Sequence, residues 1–590
     1  MFRSRIPAAA GVAALTLSVG ALAFPAFGVG TGVKAGLTEG SGAPVGVPPA
    51  LARLGERNSA AAPRVAAASV AAGVTSEAVR DGVTVLRVRT AVERSRVTGT
   101  GPTRSDFDGD GRDDVAVTGY GFVDEPGGDS NSAGVVVTYS SAPYRDRITT
   151  RVGDFGGGPA GEGLTAGDFD GDGYDDLAFN SSSEHDFTAK VDAGGVWIVP
   201  GGPNGLDISA AQHVNQSTRG VPGVSVTNDM FGSSLAAGDV TGDGRDELLV
   251  GTPYKTVKGK KYAGSVVVLK GSASGVTTTG AQAITQNTAG VPGTAERDDR
   301  FGDGITVGPI NKGRYRDVVI GTPGEQNPGF GGGAVTQFWG SKAGVSLDHV
   351  TAATGANIVA VAETRSGYAK NVYVEDVGAQ LAIADTNGDG KGEVVIGVPQ
   401  GQDFNTVASG VVVTIPVRST GLYAKGLIVL GEQDKNIPGA AAELDRFGAS
   451  IAAGDVTGDG YDDVLVGAPG DDPGGKRDAG ATVLLRGSAK GLTGAKSQAV
   501  TQSTAGVPGA AEKEDFFGAA VAVLNLDGTK RLDAVITASN ETVGGDTKGE
   551  PSGSVTTMRG VAGGLNGGTE FTGRAVGLPG LSYGQDVAYR

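Results

Sequence analysis

The sequence predicts an all-β protein, a seven-bladed β-propeller of four-stranded blades with calcium-binding loops, whose ring is closed by the C-terminal strand. Three observations predict this fold. An acidic nine-residue loop recurs at an interval of about 70 residues, each loop lies between short apolar strands, and no helical periodicity separates the repeats. Four short strands per unit, repeated seven times, are typical of propeller blades.

The repeated loop has the composition of a calcium site. In residues 106–114 (DFDGDGRDD), carboxylates stand at the first, third, fifth and ninth positions, with glycines between them. Calcium takes six to eight oxygen ligands, and alternate carboxylates with a sharp glycine turn wrap such an ion in a short loop. We therefore expect these four side chains and the seventh backbone carbonyl to coordinate one ion.

Five loops keep this pattern, which predicts about five calcium sites. The predicted metal ligands are Asp106, Asp108, Asp110, Arg112 and Asp114; Asp168, Asp170, Asp172, Tyr174 and Asp176; Asp239, Thr241, Asp243, Arg245 and Glu247; Asp385, Asn387, Asp389, Lys391 and Glu393; and Asp455, Thr457, Asp459, Tyr461 and Asp463.

Two alternatives to calcium binding are weaker. An EF-hand needs a bidentate Glu at the twelfth position and an exit helix, whereas Val117 and an apolar strand follow the first loop. Simple turn formation by Asp and Gly explains one loop, but not five with an acid always at the ninth position. Two further copies are eroded: we expect residues 309–317 to bind no metal, and the sequence leaves residues 525–533 open.

Composition narrows the possible partners. The formal net charge is −16, and much of this acidity lies in the predicted loops. No basic run or basic patch with interleaved aromatic residues is present, so nucleic acid is excluded as a partner. The absence of Cys excludes disulfides, thiolate metal sites and cysteine nucleophiles. Calcium is the expected substitute for disulfides as a stabiliser.

The N-terminal segment predicts secretion. Residues 1–28 contain two Arg, an apolar run and small residues, which is typical of a signal peptide. Residues 29–80 are rich in Ala, Gly and Pro and predict a flexible leader. We expect order to begin near Val83 and the propeller to occupy residues 81–590. No later stretch has the length of a membrane span, so the mature chain is expected outside the cell.

Each unit has the same internal order: a Phe-Gly pair opens the first strand, the loop follows, a second strand ends in Gly-x-Pro, and the fourth segment ends in a Pro-Gly turn. Blade 1 lacks the opening strand, but Tyr583-Gly584 stands in the Phe-Gly place near the C terminus, so we expect the last residues to complete blade 1. The predicted blades are residues 98–159 plus 583–590, 160–230, 231–300, 301–376, 377–446, 447–516 and 517–582.

Together, the Phe-Gly, Asp-x-Asp-x-Asp-Gly and Gly-x-Pro motifs at fixed spacing resemble the FG-GAP repeat family, which includes the propeller of integrin alpha chains and secreted bacterial integrin-like proteins. The resemblance implies calcium on one rim, an opposite rim free for an extracellular protein or glycan ligand, and a monomeric binding or adhesion module. Units two, five and seven depart from the Phe-Gly or Gly-x-Pro pattern, which affects the predicted ligand count more than the fold.

We expect no catalytic residues. His185, His213 and His349 lie in different units without metal spacing, and GLSYG at residues 580–584 matches a nucleophile elbow but overlaps the predicted closing strand. The alternative function is a carbohydrate-directed protein, a lectin or a polysaccharide or ester hydrolase, that uses rim loops.

Overall fold

The computed structural model describes residues 74–80, 83–90, 103–125, 128–140, 145–152, 160–181, 183–326, 331–362, 374–401, 409–542, 551–573 and 581–588. The predicted signal peptide and most of the predicted leader lie outside the described residues. Residues 63–590 form one compact unit. In the described part of the chain, no helix is long and apolar enough to cross a membrane.

Seven antiparallel sheets follow one another along the chain, which confirms the predicted β-propeller. Blade 2 contains Ala160–Gly167, Asp176–Ser181, Gly195–Val199 and Gln212–Val214; blade 3 contains Leu235–Gly238, Glu247–Thr252, Ser265–Ser272 and Gly275–Ile284; blade 4 contains Ile305–Gly308, Asp317–Gln326, Gly331–Phe338 and Thr351–Thr354. Blade 5 contains Gln380–Ala384, Glu393–Val398, Val411–Ile415 and Ile428–Leu430; blade 6 contains Ser450–Gly454, Asp463–Ala468, Ala481–Arg486 and Thr493–Val500; blade 7 contains Phe517–Leu524, Asp533–Ala538, Ser554–Val561 and Gly564–Thr572.

Blade 1 has six strands rather than four. From its outer edge inwards it contains Val74–Arg80, Val83–Thr90, Arg145–Val152, Gly128–Thr138, Val115–Glu125 and Leu581–Val587. The outermost strand comes from the last seven residues of the segment expected to be a leader. Its partner, Val83–Thr90, pairs antiparallel with Arg145–Val152 along its whole length, so the N-terminal hairpin covers the outer edge of the blade.

The C-terminal strand closes the ring, as predicted. Leu581–Val587 pairs antiparallel with Val115–Glu125, with Val587 opposite Val117. The first strands of successive blades contact one another in order, and this innermost strand of blade 1 contacts both its neighbours in blades 7 and 2. The fold therefore leaves no open junction between its first and last blades.

Tyr583-Gly584 adopts the conformation of the Phe-Gly pairs. Tyr583 is buried like Phe231 and Phe301, and Gly584 has a φ of +96°, close to the +94° of Gly232. A side chain disfavours this backbone conformation, which explains the glycine. The Tyr583 N–H also donates to the Ser552 carbonyl of blade 7 at 3.2 Å, so the pair anchors the closing strand to the neighbouring blade.

Several short elements lie outside the four-stranded pattern of the blades. One α-helix, Gly355–Ala362, follows the fourth strand of blade 4, where no helix was expected. Thr354 and Asn357 cap it reciprocally, since the Thr354 N–H donates to Asn357 Oδ1 at 3.0 Å and the Asn357 N–H to Thr354 Oγ1 at 3.4 Å. Ile358 and Val359 bury its apolar side in the core between blades 4 and 5.

The remaining elements within the described residues are three hairpins, three 3₁₀ turns and one extra strand. They are His185–Asp186 with Val191–Asp192, Gly340–Ser341 with Gly344–Val345, Val417–Arg418 with Gly421–Leu422, the turns Ile208–Ala210, Ala424–Gly426 and Pro473–Gly475, and Val374–Val377, which pairs parallel with Gly331–Phe338.

Removal of residues 583–590 is expected to lower the melting temperature sharply, because it exposes the inner edge of Val115–Glu125. The loss includes at least the roughly 1.5–3 kcal/mol that burial of one side chain such as Val587 contributes. Thermal denaturation measures the effect, and an equally long deletion of residues 41–48 is the control. An unchanged melting temperature would contradict closure by this strand.

We expect Asp586 to make the stability of the closing strand depend on pH. Its carboxylate accepts the Leu164 N–H of blade 2 at 3.3 Å, and burial raises its pKa from 3.8 to about 7. Between these values the folded chain holds a proton that the unfolded chain has lost, so this group's contribution to stability falls as pH rises. We expect the melting temperature of Asp586→Asn, relative to wild type, to increase from pH 4 to pH 7. A pH-independent difference would refute this role.

Candidate metal centres

All seven acidic loops lie at one end of the strands. In blades 2 to 7 each loop joins the innermost strand to the second strand, and in blade 1 it precedes Val115–Glu125. Antiparallel strands alternate in direction, so every first-to-second connection falls on the same rim of the propeller. We call this end the loop rim and the other end the turn rim.

The five predicted calcium loops share one backbone arrangement. In each, the fifth residue donates its N–H to Oδ1 of the first Asp at 2.9–3.1 Å, and the sixth residue donates to Oδ2 at 2.7–3.1 Å. The glycines at the fourth and sixth positions all have positive φ, between +66° and +91°. The spacing of the motif is thus explained by a tight turn around the first carboxylate.

Two loops bring three carboxylates together. Oxygen atoms of Asp106, Asp108 and Asp114 lie within 4.8 Å of one another, and the second loop groups Asp168, Asp170 and Asp172 in the same way. Calcium binds oxygen at 2.3–2.6 Å, so ligands on opposite sides of an ion stand about 5 Å apart. The spacing of both clusters therefore fits a calcium ion.

Burial makes a cation favourable in these loops. The pKa of Asp106 is raised to about 7 and that of Asp176 to about 8, mainly because the carboxyl groups are buried, and neighbouring carboxylates contribute to both shifts. Burial likewise raises the pKa of Glu247 and of Glu393 to about 7. Several carboxylates this close are costly to ionise without a positive charge, which a divalent ion supplies.

The ninth residue has a structural role that sequence reasoning missed. Asp114 accepts the Phe107 N–H at 3.0 Å and the Ser140 N–H at 2.9 Å, so it joins the loop to the end of the third strand. Asp533 of an eroded loop makes equivalent contacts to Leu526 and Gly560. An acid at the ninth position is therefore explained without calcium, and the argument for metal depends on the first, third and fifth positions.

The third position differs between loops. In eroded loop 309–317, Asn311 donates from Nδ2 to Asp317 at 2.6 Å, and Pro309 supplies no carboxylate. Asn387 of a predicted calcium loop likewise donates from Nδ2 to Glu393 at 2.5 Å. That loop thus presents an amide nitrogen to its ninth carboxylate in the described geometry, whereas the two loops with four Asp present oxygen alone.

A row of backbone hydrogen bonds joins every loop to the next. The eighth residue of each loop donates its N–H to the carbonyl of the first residue in the preceding loop, at 2.8–3.1 Å. The seven pairs are Asp113 to Asn525, Asp175 to Asp106, Asp246 to Asp168, Arg316 to Asp239, Gly392 to Pro309, Asp462 to Asp385 and Leu532 to Asp455. The first pair joins blade 1 to blade 7 and closes the row.

Four of these eighth residues are acids that also accept a hydrogen bond in return. Asp175 Oδ2 accepts the Asp106 N–H at 2.9 Å, and Asp462 Oδ2 accepts the Asp385 N–H at 2.8 Å. Asp246 and Asp113 do the same for Asp168 and Asn525. The signal was visible in the sequence as an Asp beside the ninth acid, but it does not belong to the predicted ligand set.

Seventh-position side chains also cross between loops. Tyr174 and Tyr461 lie over the fourth-position glycines of the preceding loops, where an added Cβ would come within 3 Å of either ring. Arg245 donates from Nε to the Asp170 carbonyl at 3.0 Å. The residues predicted to bind metal through their carbonyls thus also hold neighbouring loops together.

The structure also shows the surroundings of three residues for which we expect no catalytic role. His213 Nε2 lies 2.7 Å from Glu184 Oε1, with both side chains 1% exposed, and the His213 ring packs 4.7 Å from that of Trp197. His349 is exposed. Ser582 lies in the closing strand opposite Tyr120, where it continues an antiparallel ladder rather than a strand-to-helix elbow.

The FG-GAP repeat profile matches residues 160–199, 231–269, 377–413 and 447–485. Each matched segment contains one predicted calcium loop, whereas both eroded loops fall outside them. The chain is therefore a β-propeller that contains four FG-GAP repeats.

Similarity to known proteins extends to integrin alpha chains. The chain is 33% identical to integrin alpha pat-2 of Caenorhabditis briggsae over 175 residues, which are 27% of this chain and 13% of that protein. It is 28% identical to integrin alpha-PS2 of Drosophila melanogaster over 252 residues, 41% of this chain and 15% of that protein. It is 27% identical to phosphatidylinositol-glycan-specific phospholipase D of Dictyostelium discoideum over 176 residues, 29% of this chain and 18% of that protein. The matches thus span less than a fifth of each relative. The chain thus contains four FG-GAP repeats and is homologous to integrin alpha chains over part of its length.

Asp175→Ala is expected to destabilise the fold by about 1–3 kcal/mol, because it leaves the buried Asp106 N–H without its acceptor. Urea denaturation in a chelator measures the change independently of metal. Asp175→Asn keeps an acceptor oxygen and is the matched control, with a smaller expected loss. Equal losses for the two variants would show that this hydrogen bond does not stabilise the loop rim.

Proposed function

We propose that this protein is a secreted, calcium-stabilised binding or adhesion module without catalytic activity. One observation carries the proposal: each of the four segments that match the FG-GAP repeat contains a loop with the calcium-binding pattern. The loops stabilise one rim, and the opposite rim is available to an extracellular protein or glycan. The protein acts as a monomer, because the closed ring needs no second chain.

The geometry supports a structural role for calcium. The predicted ligands lie on loops that already contact one another through the row of backbone hydrogen bonds. The ligands in the first loop are Asp106, Asp108, Asp110 and Asp114, and an ion there neutralises carboxylates that burial makes costly. It also fixes a loop that contacts the loops of both neighbouring blades. No reaction is assigned to this ion, and its contribution is to folding free energy.

Asp168→Asn combined with Asp172→Asn is expected to remove one calcium site. At a calcium concentration 100 times the dissociation constant, one site stabilises the folded state by roughly 2.7 kcal/mol. In calcium we expect the melting temperature of the double variant to be lower than that of the wild type. In a chelator the two melting temperatures should become similar, as measured by calorimetry. Asp348→Asn with Glu443→Gln removes the same charge from exposed positions and is the control. A calcium-dependent gain equal to that of the wild type would contradict metal binding by this loop.

Binding is tested on the same variants. Wild-type protein is applied to a glycan array and used to retrieve partners from cell-wall and culture-supernatant fractions, with calcium or with chelator. We expect the Asp168 and Asp172 double variant to keep its ligand at a temperature where it remains folded. Loss of the ligand without a change in melting temperature would instead place calcium in the binding site.

A hydrolase is the second candidate, favoured by the similarity to phosphatidylinositol-glycan-specific phospholipase D. Among the described residues, His213 is buried against Glu184, and a histidine in this position is poorly placed to contact a bulky phosphodiester. Release of a glycosylphosphatidylinositol-anchored reporter from vesicles tests this candidate, and incubation with polysaccharides tests the carbohydrate-directed alternative. Turnover of either substrate would overturn the non-catalytic assignment.

A further inference from the structure

The turn rim carries a second set of recurring polar clusters, one at each of several blade junctions. Three positions recur: a Gln or Glu after the fourth strand of one blade, an Asp two residues before the aromatic residue of the next Phe-Gly pair, and a residue in or just after the second strand of the next blade. This third residue stands four positions after Gly251 in blade 3, Gly321 in blade 4 and Thr537 in blade 7. We call each set a junction triad. The triads are at the opposite end of the strands from the acidic loops.

In the triad between blades 2 and 3 the third position is a lysine. Lys255 Nζ lies 2.9 Å from Gln216 Oε1 and 2.5 Å from Asp229 Oδ2, and it also contacts the Val224 carbonyl. The Lys255 and Asp229 side chains are 12% and 3% exposed. The ammonium group of this partly buried lysine thus lies between one carboxylate and two neutral oxygen atoms.

Between blades 3 and 4 an acid replaces this lysine. The triad consists of Gln286, Asp299 and Glu325, and Gln286 Nε2 donates to Glu325 Oε2 at 2.5 Å. Asp299 is fully buried and Gln286 is 5% exposed. Asp299 Oδ1 and Gln286 Oε1 are both buried and accept no hydrogen bond from the described residues. These are the side chains whose counterparts bind the Lys255 ammonium group.

The triad between blades 6 and 7 repeats this arrangement. It consists of Gln502, Asp515 and Glu541, whose residues are between 2% and 5% exposed. Gln502 Nε2 donates to Glu541, and Gln502 Oε1 is buried without a hydrogen-bond donor among the described residues. These two junctions therefore keep the Gln and the Asp of the junction between blades 2 and 3, but have a Glu carboxylate in place of the Lys255 ammonium group.

We propose that the triads of blades 3 and 4 and of blades 6 and 7 each bind a calcium ion at the place that the Lys255 ammonium group fills between blades 2 and 3. The ligands are the Asp and Glu carboxylates and the Gln Oε1, an all-oxygen set of the kind that hard cations select. Two carboxylates this close need a compensating positive charge, and Asp299, Asp515 and Glu541 are buried. The Lys255 ammonium group between blades 2 and 3 shows where that charge fits. The ion joins neighbouring blades at the rim opposite the acidic loops.

The proposal can be tested by exchanging Glu and Lys between equivalent positions of different triads. Glu325→Lys places at one triad the residue that Lys255 places at another, and we expect it to lower the number of bound calcium ions by one per chain with the acidic loops intact. Glu541→Lys is expected to do the same at an independent junction, and the double variant to lose two ions. Lys255→Glu is expected to gain one. Equilibrium dialysis of the full chain against calcium chloride counts the ions, and circular dichroism verifies folding.

Asp348→Lys makes the same charge change at an exposed position and is the control. The readout is a difference between variants, so it holds whether or not the loops bind calcium, and loss of the loop sites would lower all counts equally. An unchanged count in a folded Glu325→Lys or Glu541→Lys variant, or no gain in folded Lys255→Glu, would overturn the proposal.

Discussion

The row of hydrogen bonds between successive acidic loops is the constraint on which the rest of the structure depends. A propeller blade buries its faces against two neighbours, so the first and last blades are covered on both faces only when the ring is closed. Each loop donates one N–H to the loop before it, and the bond from Asp113 to Asn525 carries the row across the place where the chain begins and ends its ring. The strand Leu581–Val587 completes the same junction through the sheet. Loop contacts and strand pairing thus close the ring together.

Much of the fold could be predicted from the sequence, because the same motifs recur in successive repeats. The spacing of the loops, the Phe-Gly pairs and Tyr583-Gly584 near the C terminus predict seven blades and the closing strand, and each motif has a local conformational reason such as the positive φ of Gly584. Features that occur once were not predictable in this way. The N-terminal hairpin of blade 1 pairs with a strand far along the chain, and the helix Gly355–Ala362 depends on its cap and on burial of Ile358 between blades.

The composition of the candidate metal site could be predicted from the sequence, but the separate structural roles of its residues could not. The first carboxylate organises the loop backbone, the ninth joins the loop to the third strand, and the eighth contacts the neighbouring loop. Local sequence cannot separate these roles, because contacts such as Asp175 to Asp106 join residues one blade apart. The same limit applies to the junction triads. Glu325 could not be recognised as part of a polar cluster from local sequence, because Gln286 and Asp299 are distant from it along the chain.

Hydrogen exchange at the loop rim tests the central claim most directly. Mass spectrometry of peptides that contain Asp113, Asp175, Asp246 and Asp462 reports whether the eighth-position N–H groups are protected in the native state. The account predicts comparable protection at all four, including Asp113 at the junction of blades 1 and 7, with further protection on addition of calcium. Rapid exchange at Asp113 while the other three stay protected would show that the ring is open where its ends meet and would contradict the account.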